Sequence, residues 1–335
     1  MTVAGRLDIL KALSEEVRLR IFRLVSMQEM YVNELVSILE MSQPRVSRHL
    51  AVLKNTALVV DRREGNWIYY RANDADEDTF VAEIRRTISD HLLDETFFPE
   101  DLSRLADVLA RRKATSTTWF DNVASEWDRI KHNYIQDMLP FMVATNFIQS
   151  GAVAADIGTG TGEVLLTLAE SAGKVIGIDS SERMLDVCRD HIAQSKLDNV
   201  ELRLGDAEAL PLDDAECDTV FSSMLLHHLP SPQQGIAEMS RALAPGGKVV
   251  IIDLVKHTND WTREVMADLW LGFTEEQIQT YLREAGFVDL NYSTSTVLSP
   301  ADSNRAGKLQ VFIAIAAKAP SGAQRHNLSN NTTAV

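Results

Sequence analysis

Cysteine is almost missing from this chain. Cys188 and Cys217 are the only two thiols in 335 residues. Two thiols make no disulfide framework, so the fold must hold by burial. No apolar run approaches the ~20 residues that a bilayer core demands, so no membrane contact is expected. Residues Met1 to Asp8 bring an acid early and no long apolar stretch, which argues against a signal peptide. Positive charge is also short: 33 Lys and Arg face 48 Asp and Glu, a net charge of −15. No internal repeat is visible. The tail from Pro320 is rich in Ser, Gly, Gln, Asn and Thr and has too little apolar surface to fold. A soluble, cytoplasmic chain of two domains is expected.

The acid is unevenly spread. Residues 1–113 carry 17 basic and 19 acidic side chains, and the remainder carries 16 and 29. Between 42 and 71 the balance reverses to six basic and two acidic. That window opens with Ser42-Gln-Pro-Arg45-Val-Ser47-Arg48-His49-Leu-Ala-Val-Leu-Lys54. Val46, Leu50 and Leu53 recur at helical spacing, and Ser42 suits the N-cap. Val32–Leu39 predicts a helix before it, with Glu40 and Met41 as the turn. After it, residues 57–71 alternate around Glu64-Gly65-Asn66, a hairpin signal. Two helices, a turn and a basic hairpin resemble the winged helix of the ArsR/SmtB repressors. The resemblance implies binding to double-stranded operator DNA, with phosphate contacts for affinity and base edges for sequence preference. The implied contact set is Ser42, Gln43, Arg45, Val46, Ser47, Arg48, His49 and Lys54, with Arg62, Arg63 and Asn66 from the wing. It also implies a homodimer, which places two recognition helices about 34 Å apart.

Metal-sensing relatives in that family often carry a Cys-x-Cys pair before the recognition helix, where this chain has Tyr31-Val-Asn-Glu-Leu. Asp90 and His91 lack the second spaced pair of a zinc sensor. Soft-metal sensing and arsenite methylation both need thiolates, so no metal is expected.

The larger part is organised around Asp156-Ile-Gly158-Thr159-Gly160-Thr-Gly162-Glu163. An apolar run precedes it and an amphipathic run follows, which predicts strand, glycine turn and helix. A dinucleotide fingerprint would have its third glycine at 163, where Glu163 stands. Lys174–Asp179 predicts a second strand ending in a carboxylate 19 positions after Gly160, where doubly wound folds hold ribose hydroxyls. Val200–Ala207, Cys217–Ser222 and Ala244–Asp253 predict three more strands. Phe287–Ser293 and Leu309–Ala317 predict an antiparallel pair at the end. Together these resemble the class I S-adenosylmethionine (SAM) methyltransferases over roughly residues 115–318.

The fold class expected is α/β: a winged helix-turn-helix domain followed by a Rossmann-like, seven-stranded methyltransferase domain. The boundaries expected are 1–98 for the first, 99–118 for a helical linker with dimer contacts, 119–318 for the second and 319–335 for the tail. The resemblance implies SAM or S-adenosylhomocysteine (SAH) as ligand. The set it implies is Asp156, Gly158, Thr159, Gly160, Gly162, Asp179, Ser180, Met184, Asp206, Ala207 and Ser222, with Phe120 and Trp127 packing on the ligand or on the sheet. Methyl transfer needs alignment more than a fixed catalytic group. His228 and then His257 are the candidate acceptor bases or orienters, since each follows a strand on the ligand side. No Asn/Asp-Pro-Pro-Tyr/Phe motif follows the fourth strand, which favours a small-molecule acceptor over a nucleobase. Two functions stay open. One is a regulator, resembling SAH-responsive regulators of methionine-cycle genes. The other is a methyltransferase with an autoregulatory DNA-binding domain.

Overall fold

A computed structural model describes residues 3–64, 67–73, 80–91, 97–129, 151–259, 261–298 and 309–320. The chain divides into two compact units, Met1–Ala114 and Thr115–Val335. Helix α6 (Pro99–Val123) contributes residues to both and covers the stretch expected as a linker.

The first unit contains α1 (Val3–Leu13), α2 (Glu16–Met27), β1 (Met30–Tyr31), α3 (Val32–Leu39), α4 (Gln43–Asn55), β2 (Val59–Glu64), β3 (Trp67–Ala72) and α5 (Phe80–His91). Glu40 takes the left-handed conformation that ends α3, at φ 52. Ser42 sits at the cap of α4, but its hydroxyl makes no cap bond. Pro44 in the first turn removes one N–H that would lack a partner there. Val46, Leu50 and Leu53 turn into a core with Ile21, Phe22, Leu35 and Ile38. Strands β2 and β3 pair from Val59 opposite Ala72 to Glu64 opposite Trp67. The predicted hairpin tip, Gly65 and Asn66, lies outside the described residues. Two buried ion pairs fasten α6 to this unit. Arg20 grips Asp101 through two bonds of 2.7 Å, and Arg112 reaches Glu34 at 2.6 Å.

The second unit is built on a seven-stranded sheet. Its strands are β4 (Val153–Ile157), β5 (Lys174–Asp179), β6 (Val200–Leu204), β7 (Cys217–Ser223), β8 (Leu243–Leu254), β9 (Phe287–Leu298) and β10 (Leu309–Lys318). The order is β6-β5-β4-β7-β8-β10-β9. Strands β4 to β8 pair in parallel, and β10 runs antiparallel to both β8 and β9. The expected antiparallel pair is there, with β9 outermost. The helices are α7 (Glu163–Ala169), α8 (Glu182–Ser195), α9 (Pro232–Ala242), α10 (Trp261–Met266) and α11 (Glu275–Glu284). Residues of β4, β5, β7 and β8 are buried in near-continuous runs, as strands covered on both faces must be. The chain winds outward from β4 to β6 and then returns to β7 on the other side. Strand order therefore reverses between β4 and β7, where open α/β sheets leave a crevice beyond the strand ends.

Candidate cofactor site and nucleic-acid surface

The glycine turn leaves β4 at that crevice. Gly158, Gly160 and Gly162 all have positive φ, at 73°, 54° and 89°. A side chain at 162 would meet Cys188 Sγ at 2.5 Å, so α8 packs directly beneath the turn. Asp156 is buried and accepts the Thr159 hydroxyl at 2.8 Å, which braces the turn from inside. Asp179 ends β5 and accepts N–H bonds from Gly160 at 2.8 Å and Ser181 at 2.9 Å. Loss of water around it raises this carboxyl above the usual range, although the N–H groups of Ser181, Gly160 and Ser180 pull the other way. Two accepted bonds leave a carboxylate room for more donors.

Thr115–Glu126 and the residues just after it lie over the turn. Ser181 Oγ donates to Asp121 at 2.6 Å and Thr161 Oγ1 to Asp128 at 2.5 Å. Trp119, Phe120 and Trp127 form an edge-to-face cluster with ring centroids 5.0 to 5.8 Å apart. Trp127 Nε1 would lie 3.7 Å from a side-chain carbon at Gly160. Asp121, Asp128, Thr161 and Ser181 escape sequence reasoning, because nothing local marks a residue whose role is to fasten a distant helix. Ser180 is exposed at the rim, with its hydroxyl 3.5 Å from Thr117. Asp206 accepts the Glu208 N–H at 2.9 Å, and Ala207 is buried beside it. Ser222 is buried at the end of β7, and its hydroxyl has no hydrogen-bond partner among the described residues. Met184, in the expected cofactor set, is buried. It is 1% exposed and fills the core face of α8.

The histidines differ from expectation. His227, which sequence reasoning passed over, is the most engaged. Its Nδ1 lies 2.6 Å from Asp253 Oδ1, and its Nε2 lies 3.6 Å from Asp268 Oδ1. Burial alone would push His227 down, yet the charges of Asp253 and Asp268 outweigh it and raise the ring to about 9. His228 is buried against the Phe120 edge, centroids 4.8 Å apart. Burial and the neighbouring His227 push it well below the usual histidine value. Burial, then His227, Lys256 and Arg263, lower His257 to about 4. Both candidate rings are therefore held in the neutral form, with their lone pairs unprotonated.

On the first unit, α4 presents Ser42, Gln43, Arg45, Ser47 and Arg48 to solvent. Neither Arg45 nor Arg48 has an acidic partner among the described residues. Val46 is 0% exposed, so its expected place at a base edge is corrected: the spacing that made the helix amphipathic puts it in the core. Arg62 is corrected too. It holds the buried Glu29 at 2.8 Å and lies over the Tyr69 ring at 4.8 Å. His49 faces Glu15 at 3.4 Å and Lys54 faces Asp61 at 2.6 Å, while Arg63 is exposed.

Comparison with known proteins agrees with both units. Residues 148–286 match the family described as a methyltransferase domain, and residues 15–60 match the bacterial regulatory protein, arsR family. The demethylmenaquinone methyltransferase of Clavibacter sepedonicus is 34% identical over 218 residues, 56% of this chain and 88% of that protein. That of Shouchella clausii (strain KSM-K16) is 40% identical over 114 residues, 33% of this chain and 48% of that protein. The arsenite methyltransferase of Halobacterium salinarum is 31% identical over 147 residues, 41% of this chain and 37% of that protein. The chain spans about half to two thirds of the length of the first curated relatives it matches. The chain belongs to the methyltransferase family and carries an ArsR-family domain ahead of it.

For the ArsR-type domain the geometry separates two classes of arginine. Arg48→Ala should weaken duplex binding and lower the salt slope by about one counterion. Arg62→Ala should instead lower the melting temperature, because Glu29 would be left buried without its partner. Binding isotherms at several salt concentrations, with a melting curve for each variant, check both. Equal salt slopes for Arg48→Ala and wild type would place the duplex elsewhere.

Proposed function

We propose that this chain is a DNA-binding regulator whose methyltransferase domain binds SAM or SAH, and that the bound nucleoside sets its affinity for an operator. The observation that carries this reading is Asp179. Its carboxylate is held on the Gly160 N–H beside three left-handed glycines, under Trp127, with room to accept hydroxyl donors. The same chain carries two exposed arginines without acidic partners on the second helix of a winged helix. SAM and SAH differ by one methyl and one positive charge. The carboxylates of Asp156, Asp179 and Asp206 near the strand ends give the charge that would tell them apart. Regulation then needs only that the two forms prefer different conformations.

We further read the protein as a homodimeric repressor acting in the cytoplasm. Leu7 and Leu10 support self-association: they stand three residues apart on α1 and are about half exposed. No described helix is long and apolar enough to cross a membrane.

A second reading, an active methyltransferase on a small acceptor, is favoured by the buried His227 and His228 at the end of β7 and by the relatives' names. Arsenite is a poor acceptor candidate. Burial pushes both cysteine thiols up to about 12, far from the thiolate that arsenic chemistry needs.

Mobility shift on operator DNA, with no nucleoside, with SAM and with SAH, decides between the readings. The regulator reading expects the midpoint to move with at least one nucleoside. An unchanged midpoint at saturating nucleoside would reject it. SAH release over an acceptor panel is the measure of catalysis.

A further inference from the structure

His227, His228 and Asp268 each offer one ligating atom, and these atoms all lie within 4.8 Å of one another. His227 and His228 lie on the 3-10 turn Leu226–His228, Asp268 comes from a distant stretch of chain, and all three are buried. We propose that they form a binding site for a divalent transition-metal ion of the zinc, cobalt or nickel type.

Three observations carry this. The first is the use of the ring nitrogens. His227 turns Nδ1 to Asp253, and His228 turns Nδ1 to the Ala267 carbonyl at 3.4 Å. In both rings Nε2 is the nitrogen left for an ion, which on His227 would displace the proton that Asp253 and Asp268 favour. A metal-ligating histidine is usually oriented this way, one nitrogen fixed by a carboxylate or carbonyl and the other on the ion. The second is Asp253 itself. It is fully buried, and it also accepts the Leu226 N–H at 2.8 Å and the Leu254 N–H at 2.7 Å. It is committed to holding His227 and belongs behind the ligand, not on the ion.

The third is Asp268. Both its oxygens are buried and neither has a hydrogen bond of good geometry among the described residues; Thr262 and His227, whose Nε2 is 3.6 Å away, are its polar neighbours. A buried carboxylate with unfilled lone pairs costs free energy unless a cation completes it.

The geometry suits the proposed ion. Bonds of about 2.0 to 2.2 Å place neighbouring ligand atoms roughly 3 to 3.5 Å apart. The 3.6 Å pair needs almost no adjustment, and a separation at the 4.8 Å limit needs roughly 1.5 Å of closure. Two imidazoles and one carboxylate favour zinc, cobalt or nickel over calcium or magnesium, which prefer oxygen alone. His257 is not a fourth ligand. Its Nδ1 accepts the Asn259 N–H at 3.2 Å, which leaves the ring proton on Nε2. Three protein ligands keep a position open for water or an oxygen of a small acceptor. The expectation of no metal came from missing thiolates and missing spaced pairs on one helix. This cluster uses neither, because adjacent histidines meet an aspartate only in the folded chain.

The test uses full-length protein stripped with chelator and titrated with Co2+ in the absence of nucleoside, so it is independent of the SAM reading. The expected result is visible d–d absorption that saturates at one ion per chain and is displaced by zinc. Asp268→Asn and His228→Gln should abolish the band, and Asp253→Asn should weaken binding about 10- to 100-fold. Should one of the first two fail to fold, the other decides. Wild-type protein that takes up no cobalt, or a band that survives in Asp268→Asn or His228→Gln, overturns the site.

Discussion

Replacing Asp179 with alanine is expected to weaken SAM and SAH binding by on the order of 100-fold, by calorimetry on the full chain. The argument starts at the end of β5. Asp179 already accepts the N–H groups of Gly160 and Ser181. A ribose placed over the glycine turn would give it two further hydroxyl donors. Hydrogen bonds to a charged acceptor contribute about 1.5 to 3 kcal/mol each, so losing two removes roughly 3 kcal/mol or more. The substitution also leaves two N–H groups without their acceptor, so the ligand-free melting temperature should fall as well. The decisive reading is therefore the rise in melting temperature on adding SAM, which should vanish in the variant. Asp179→Asn keeps the shape and removes the charge, and should fall between wild type and alanine. Acidity gives a second handle. Ribose hydroxyls prefer the ionised carboxylate, and this group sits above the usual carboxylate range. Its charge is lost as pH falls through that raised value, so SAM affinity should decline on acidification sooner than an ordinary aspartate would allow. The alanine variant should lack this component. Undiminished calorimetric binding in Asp179→Ala would move the nucleoside out of this crevice.

Much of the scaffold was legible in sequence because it rests on local rules. Lys174–Asp179 has the predicted bounds as β5, since an uninterrupted apolar run ending in an acid has few other uses in a doubly wound sheet. Val32–Leu39 does so as α3, where helical spacing and a left-handed exit at Glu40 agree. Side-chain partnerships were less legible. Arg62 and Arg63 are neighbours with the same charge, yet Arg62 is held by Glu29, 33 residues earlier, and only Arg63 is exposed. Val46 stands both in the implied contact set and on the apolar spacing with Leu50 and Leu53, and burial follows the spacing. His227 was passed over beside His228 because its partner lies far along the chain. Nothing in Leu226-His227-His228 says which ring will meet Asp253, since that depends on where β8 ends. Fold follows from patterns along the chain, whereas the chemistry of a site depends on pairs that only packing creates.

The largest stability effect is expected at Gly162, not at a charged residue. Gly162→Ala should destabilise the protein by roughly 2 to 5 kcal/mol, from two separable causes. Gly162 sits at φ 89°, where an L side chain costs about 1 to 2 kcal/mol. Its new methyl would also stand 2.5 Å from Cys188 Sγ, and overpacking a close-packed site costs about 1 to 3 kcal/mol. Urea unfolding should show a lower midpoint at an unchanged slope. A second substitution separates the causes. Cys188→Ala removes the sulfur and should by itself destabilise modestly, since a fully buried thiol leaves a small cavity. Combined with Gly162→Ala it should recover the steric part and leave the backbone part, so the double variant is less damaged than the sum of the singles. Strict additivity would mean that the thiol does not press on the turn. Because the turn also carries the Gly160 N–H that Asp179 accepts, nucleoside binding should weaken in Gly162→Ala and recover with Cys188→Ala only as far as the turn itself recovers.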